Sequence, residues 1–287
     1  MDSSDRSPHQ QPQPGAQPQP GTQPHRESQV HRGAPSHRDV PLPGRRQADH
    51  FDRDMLKRSS PIDRGREAWR VLRMQSEFVT AYDSLNELGG AIAVFGSARL
   101  GEGTPEYAAA REVGRQLVEA GFAVVTGGGP GTMEGVNRGA AEAGGRSVGL
   151  GINLPFETGF NEWVDTPVLF HYFFSRKVTF VKYTDGCIVM PGGVGTLDEL
   201  FEIMTLCQTQ KISGYPIALV GKDFWSPLLE WMQQVLLGRG TISESDIQRP
   251  LITDDVAEAV EFVTAHARGP AGKPHGDAGG SNDNAAS

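Results

Sequence analysis

Apolar positions along the central part of the chain follow two different periods. Short runs are apolar at almost every position and end in glycine or polar residues, at 91–95, 122–126, 147–150, 186–190 and 216–220. Between and around them, apolar residues recur at helical spacing, at 65–88, 105–120, 132–143, 173–184, 197–210, 224–237 and 254–266. Strands that are apolar throughout and separated by helices are typical of a parallel sheet covered on both faces. The pattern predicts an α/β fold, with a doubly wound, mostly parallel sheet.

The two ends of the chain lack this pattern. Residues 1–60 are rich in Pro, Gln, Ser, Arg and His, and residues 268–287 in Gly, Asn, Asp and Ala. Segments of such composition cannot bury enough apolar surface to offset the entropy lost on ordering. We therefore expect two disordered tails around one Rossmann-like domain at 61–267. Histidines in the first tail are irregularly spaced among prolines, which favours a solvated linker over a metal site.

Charge and hydropathy exclude several classes of protein. The formal net charge of −8 argues against a general nucleic-acid binder, which needs clustered Lys and Arg. No apolar run reaches the roughly 18 residues of a membrane span, and the first residues lack the apolar core of a signal peptide. We expect a cytoplasmic protein without a membrane partner. Cys187 and Cys207, in a predicted strand and a predicted helix, are then packing residues rather than a disulfide.

Three glycine-rich turns, at 96–99, 127–132 and 192–196, each follow a predicted strand. Ligands of doubly wound sheets bind beyond the carboxyl ends of the strands, so we expect these turns to meet at one edge. Glycine lets a backbone approach a ligand closely, and a helix N-terminus favours an anion. Neither a dinucleotide fingerprint nor a P-loop is present, so a mononucleotide or sugar phosphate fits better. The alternative is that the glycines only make tight turns.

Acidic residues follow two of these turns. Glu134 and Glu199 are each predicted in the first turn of the helix behind a glycine turn. Either residue could simply stabilise the helix N-terminus, the role we favour for Asp198. A carboxylate placed beside a ribose could instead stabilise the positive charge that develops as a glycosidic bond breaks.

Two cations and a histidine lie near the start of the helix predicted at 173–184. Arg176 can bind a carboxylate or phosphate in a bidentate manner, whereas Lys177 offers a point charge. The helix dipole disfavours cations at this end, so the placement suggests a ligand or an acidic partner. His171 has no evident partner in the sequence, so we expect a packed histidine.

These residues together resemble a known family. Residues 191–199, Pro-Gly-Gly-Val-Gly-Thr-Leu-Asp-Glu, have the form of the PGGxGTxxE motif of the Lonely Guy (LOG) family, and 175–177 resemble its RK motif. The turns at 96–99 and 127–134 resemble its two earlier loops, so the likeness covers about 88–265. Family members are cytokinin riboside 5′-monophosphate phosphoribohydrolases. They hydrolyse the N-glycosidic bond of N6-modified AMP to the free base and ribose 5-phosphate.

The resemblance implies a set of site residues. Arg176, Glu199 and Glu134 take the catalytic positions, and the turn at 192–196 binds the 5′-phosphate. The implied substrate-binding residues are Gly96, Ser97, Gly128, Gly129, Lys177, Pro191, Gly192, Gly193, Gly195 and Thr196. The implied partner is a small nucleoside monophosphate, with no metal, no cofactor and no nucleic acid, in a homo-oligomer of two or more copies. No His, Cys or Asp cluster has the spacing of metal ligands.

The sequence departs from the smallest family members and leaves alternatives open. It carries an N-terminal extension with an added helix, and it has Met133-Glu134-Gly135 where small members have Met-Gly, as in the longer bacterial subgroup. One alternative is a housekeeping hydrolase that acts on AMP. Another is a non-catalytic carrier of a nucleotide or of molybdenum cofactor, and a third is an interaction module built on the tails. The acidic residues favour an enzyme, because a binder needs the glycines but not the acids.

Overall fold

The structure is a computed structural model that describes residues 64–154 and 159–267. Its strands are β1 Ala91–Phe95, β2 Ala123–Thr126, β3 Ser147–Ile152, β4 Thr166–Phe170, β5 Cys187–Val189, β6 Ile217–Val220 and β7 Leu251–Thr253. Its helices are α1 Arg64–Leu85, α2 Pro105–Glu119, α3 Thr132–Glu142, α4 Phe173–Tyr183, α5 Val194–Gln208, α6 Lys222–Trp231, α7 Glu244–Gln248 and α8 Val256–His266. A π-helical turn, Met232–Leu237, continues α6. The tails predicted at 1–60 and 268–287 lie outside the described residues.

The strands form one parallel sheet in the order β4-β3-β2-β1-β5-β6-β7. The chain starts in the middle with β1, adds strands on one side, and then crosses to the other side of β1 at β5. The strand order therefore reverses between β1 and β5, and ligands of such sheets bind beyond the carboxyl ends of these two strands. The predicted doubly wound α/β fold is confirmed.

Helices pack against both faces of the sheet, in two apolar clusters. One apolar cluster joins one face of the sheet to helices α1, α4, α5 and α6, through residues that include Leu85, Phe180, Leu200 and Trp225. The second joins the opposite face to α2, α3 and α8, through residues that include Val113, Val136 and Val260. Burial on both faces explains why the central strands are apolar at every position. Among the described helices, none has the length and apolar character needed to cross a membrane.

Two strands escaped the sequence-based prediction, which placed the last strand at 216–220. The missed strands, β4 and β7, are the two edges of the sheet. β4 contains Pro167, and only Val168 and Phe170 of its residues are buried, so it lacks a continuous apolar run. β7 has three residues and only Thr253 is buried. Edge strands bury less surface than central ones, which weakens the pattern on which the prediction depends.

The two cysteines are packed as expected. Cys187 lies in β5 and Cys207 in α5, and both are buried free thiols. Burial raises the pKa of both thiols above the ordinary value, which suits an unreactive packing role.

Candidate active site at the carboxyl edge of the sheet

The three glycine-rich turns meet, as the sequence predicted, and Ser97 joins them. The backbone N–H of Ser97 donates a hydrogen bond to the carbonyl of Pro191, at 3.2 Å. Its carbonyl accepts one from the N–H of Thr132, the first residue of α3, at 3.0 Å. The turns after β1, β2 and β5 therefore form one continuous surface at the point where the strand order reverses.

Packing explains the glycines at several positions of this surface. A Cβ on Gly96 would lie 2.8 Å from Cβ of Thr132, and one on Gly192 would lie 2.6 Å from Cβ of Thr196. Gly128 has a φ of 71°, which L side chains rarely adopt, and its Cβ position faces the ring of Phe160. A Cβ on Gly129 would meet the end of the Met133 side chain. At these positions the tight-turn explanation suffices.

Packing does not explain Gly193 and Gly195. Neither has a positive φ, and a Cβ built on either would meet no atom within 4 Å. Both are exposed, and Val194 between them is 85% exposed. In the described part of the chain, no group accepts a hydrogen bond from the N–H of Val194, Gly195 or Thr196 at the start of α5. Open space thus lies over a helix N-terminus whose donors are unused.

Helix α5 begins earlier than the sequence suggested. The prediction started it at 197 and put Asp198 and Glu199 in its first turn, but the helix begins at Val194, with Gly193 as the N-cap. The two acids therefore lie in the second turn, and the prediction that Asp198 stabilises the helix N-terminus is wrong. The glycines at 193 and 195 hid the true start, because they lower helix propensity without preventing a first turn.

Arg176 and Glu199 form a largely buried ion pair beside the second turn. Nη1 of Arg176 donates to Oε1 of Glu199 at 2.9 Å, and the side chains are only 9% and 14% exposed. Nε of Arg176 donates to the carbonyl of Leu150 at 2.7 Å. Its guanidinium carbon lies 4.9 Å from the ring centre of Phe180, and Nη2 lies 2.7 Å from where a Cβ on Gly127 would be. The guanidinium therefore has a fixed orientation.

Glu199 has an altered proton affinity. Burial raises the pKa of Glu199 above its ordinary value, although the charge of Arg176 and its hydrogen bond act in the opposite direction. Arg176 contacts Oε1, and among the described residues no hydrogen bond or ion pair reaches Oε2. A buried carboxyl group with one oxygen fixed by a cation and the other open is suited to hold or move a proton.

Lys177 is engaged by carboxylates of the neighbouring helix. Its Nζ lies 2.7 Å from Asp198 and 2.8 Å from Glu202, and the lysine side chain is 18% exposed. Burial alone would lower the pKa of Lys177, but the hydrogen bonds to Asp198 and Glu202 outweigh it and raise the pKa. The sequence suggested a ligand or an acidic partner for the cations at the start of α4. The structure provides acidic partners in α5, which Arg176 and Lys177 both contact.

Glu134 lies in the first turn of α3, as predicted. Its Oε1 accepts a hydrogen bond from the hydroxyl of Tyr107 in α2, at 3.2 Å. Burial raises the pKa of Tyr107, and the neighbouring charge of Glu134 contributes in the same direction. Among the described residues, hydrogen bonds join Arg176 to Glu199 but do not join Glu134 to that pair.

Sequence reasoning missed a polar network behind the second turn. Asn161 donates from its side-chain nitrogen to the carbonyls of Gly128 and Gly129, at 3.1 and 2.9 Å. Buried Asn137 of α3 connects to this network and also bonds to Thr126 and Ser147 at the ends of two strands. Single polar residues without a motif gave no signal, and only the fold brings them together.

His171 has a partner that the sequence did not reveal. Nδ1 of His171 lies 2.9 Å from Oε1 of Glu77, a buried residue of α1. The two residues are far apart along the chain, so their pairing follows from the packing of α1 beside α4.

A family model and curated proteins match this chain. The model, described as possible lysine decarboxylase, matches residues 133–263, which contain all three predicted catalytic residues. The chain is 33% identical over 165 residues to the cytokinin riboside 5′-monophosphate phosphoribohydrolase of Mycobacterium tuberculosis, covering 53% of this chain and 81% of that protein. It is 34% identical over 154 residues to cytokinin riboside 5′-monophosphate phosphoribohydrolase LOG of Oryza sativa subsp. japonica, covering 52% of this chain. The match spans 62% of the length of that rice protein.

Solved structures with a related fold include a molybdenum cofactor binding protein from the phototrophic bacterium Rippkaea orientalis. That protein is 23% identical, with a TM-score of 0.46, and the match covers 62% of this chain and 96% of that chain.

Proposed function

Because the chain belongs to the Lonely Guy (LOG) family of cytokinin riboside 5′-monophosphate phosphoribohydrolases, we propose that it hydrolyses N6-modified adenosine 5′-monophosphates to the free base and ribose 5-phosphate. The observation that carries the proposal is the Arg176–Glu199 pair, whose glutamate follows, in the same helix, a turn with exposed glycines that packing does not require. The proposal assigns the 5′-phosphate to the turn and the sugar to the carboxylate.

The phosphate seat is the start of α5. The N–H groups of Val194, Gly195 and Thr196 are available donors, and the positive end of the helix dipole favours an anion. The missing side chains of Gly193 and Gly195 leave room for the phosphate oxygens to approach the backbone. The turns at 96–99 and 127–132 complete the cradle, because Ser97 holds both of them against the third.

Glu199 is one helical turn beyond this seat, where a ribose attached to the phosphate would extend. Its open oxygen accepts a proton from the attacking water, and its charge stabilises the positive sugar ring that develops as the bond breaks. The C1′–N bond breaks, the water oxygen bonds to C1′, and a proton passes to the leaving nitrogen of the base. Arg176 fixes the carboxylate, and Glu134 contributes a second carboxylate from the first turn of α3.

Lys177 is a poor candidate for the amine chemistry that the description of the family model suggests. A lysine that attacks a carbonyl must be neutral, and two carboxylates hold Lys177 in its charged form. Its proposed role is to keep α4 and α5 in register beside the substrate.

The test is to incubate the chain of residues 1–287 with AMP, with N6-isopentenyl-AMP and with adenosine, and to separate the products by chromatography. We expect equal amounts of free base and ribose 5-phosphate from the monophosphates, with faster release from the N6-modified one, and no cleavage of adenosine. Phosphate binding supplies energy that is used at the sugar, so a nucleoside should lose turnover as well as affinity. Cleavage of adenosine at a similar rate would contradict the proposed seat.

A further inference from the structure

We propose that Glu77, in the helix that precedes the first strand, is a positioning residue that aims Arg176 in the active site. The inference rests on the proposed function, but it concerns a part of the chain that the family model does not match. The matched region is 133–263, whereas Glu77 lies in α1, Arg64–Leu85. Nothing in the motifs at 175–177 or 191–199 indicates such a contribution.

The carboxylate of Glu77 is buried and fully engaged. The residue is 7% exposed. Oε1 accepts a hydrogen bond from the backbone N–H of His171 and lies 2.9 Å from its Nδ1, and Oε2 accepts one from the hydroxyl of Ser175 at 2.6 Å. Burying a carboxylate is costly unless donors surround it, and here three donor groups converge from one short segment. That segment, 171–175, leads into α4 and includes its N-cap and first residues.

Helix α4 needs this support from outside. Its N-cap, Tyr172, makes no side-chain capping bond, and its first turn contains no acidic residue. Arg176 directly follows Ser175 and lies near the N-terminus of the helix. The helix dipole disfavours a cation there, although the site depends on this one. The carboxylate of Glu77 places a negative charge beside this end of the helix, where the helix dipole favours one.

The link from Glu77 to the chemistry passes through Ser175. Ser175 is fully buried and is the chain neighbour of Arg176, whose guanidinium has fixed bonds to Leu150 and Glu199. A small rotation or shift of the first turn of α4 would therefore misalign both of these bonds. Misplacing a catalytic group by about 1 Å can cost roughly 100-fold in rate, so even a partial loss of the anchor should be measurable.

The experiment compares Glu77→Gln and Ser175→Ala with Asp83→Asn, which removes an exposed carboxylate from the same helix. Gln keeps the shape of Glu77, and Ser175→Ala breaks the link while Glu77 keeps its contacts to His171. We expect both test variants to lower kcat about tenfold with KM changed less than about twofold, and the control to match wild type. Equal kcat in Glu77→Gln, Ser175→Ala and the control would overturn the inference.

A double mutant separates positioning from general structural damage. If Glu77 acts through Arg176, then Glu77→Gln should cost less than about twofold when Arg176 is already Gln. A role in overall stability predicts instead that the two losses multiply, which would count against the proposal.

An NMR measurement keeps the test independent of turnover. The Nε–H of Arg176 donates to Leu150, so its proton should exchange slowly, and Glu77→Gln should make that exchange about tenfold faster while amides of the central strands stay unchanged. If wild type releases no base, the hydrolase proposal fails, and this signal alone decides the role of Glu77. An unaltered Arg176 signal in Glu77→Gln would then refute it.

Discussion

Replacing Gly195 with Ala tests whether this glycine leaves room for a ligand or only allows a tight turn. Gly195 is the second residue of α5, is exposed, and has neither a positive φ nor an atom within 4 Å of its Cβ position. Ala at such a site restricts the unfolded chain and suits a helix, so it should stabilise the fold by about 0.4–1 kcal/mol. For a domain of this size, that gain corresponds to a rise in Tm of about 1–4 °C.

The effect on activity should have the opposite direction. Under the proposed function the space over Gly195 belongs to the phosphate, so the added methyl group should lower kcat/KM for AMP at least about tenfold, or about 1.4 kcal/mol. Thr205→Ala is the matched control, because it also raises helix propensity at an exposed position of α5 but lies away from the turn.

The assay combines thermal unfolding with initial rates of base release for wild type and both variants. A more stable Gly195→Ala protein with reduced activity supports the seat. A more stable protein with unchanged kcat/KM for AMP would show that the space over Gly195 is not used, and the assignment of the phosphate to this turn would be refuted.

Three further predictions follow from the same geometry. Gly192→Ala should destabilise the fold by about 1–3 kcal/mol, measured by urea unfolding, because its Cβ would lie 2.6 Å from Cβ of Thr196. The pKa of Glu199 is raised in the folded state, so the folded wild type holds a proton more tightly than the unfolded chain. The wild type should therefore lose stability relative to Glu199→Gln as pH rises from the ordinary pKa of 4.5 through the raised pKa. Urea midpoints measured across that interval test this, and a constant difference between the two proteins would contradict it. Deleting residues 1–60 should leave turnover within about twofold, because Glu77 and the proposed site remain; a large loss would place part of the site in the tail.

The sequence predicted the central architecture because buried parallel strands must be apolar on both faces. It also predicted that the glycine turns would meet, since the carboxyl ends of parallel strands share one edge, and the bond between Ser97 and Pro191 bears this out. Edge strands β4 and β7 were missed because their burial is incomplete.

Pairings between distant side chains could not be obtained from the sequence. The family resemblance predicted that Arg176 and Glu199 belong to the same site, but not that they contact each other. The distance and orientation of their contact depend on how α4 packs against α5. Glu77 gave no signal at all, because a glutamate on an amphipathic helix usually faces solvent. Its function depends on which element packs beside α1, and that is a property of the whole fold.

The central claim is that Glu199 cleaves the glycosidic bond of a nucleotide held at the start of α5. Its most direct test measures nucleotide binding by calorimetry and release of free base for wild type and Glu199→Gln. We expect both proteins to bind AMP with dissociation constants within a few-fold, and only the wild type to release adenine with an equal amount of ribose 5-phosphate. Undiminished release of adenine by Glu199→Gln would contradict the account.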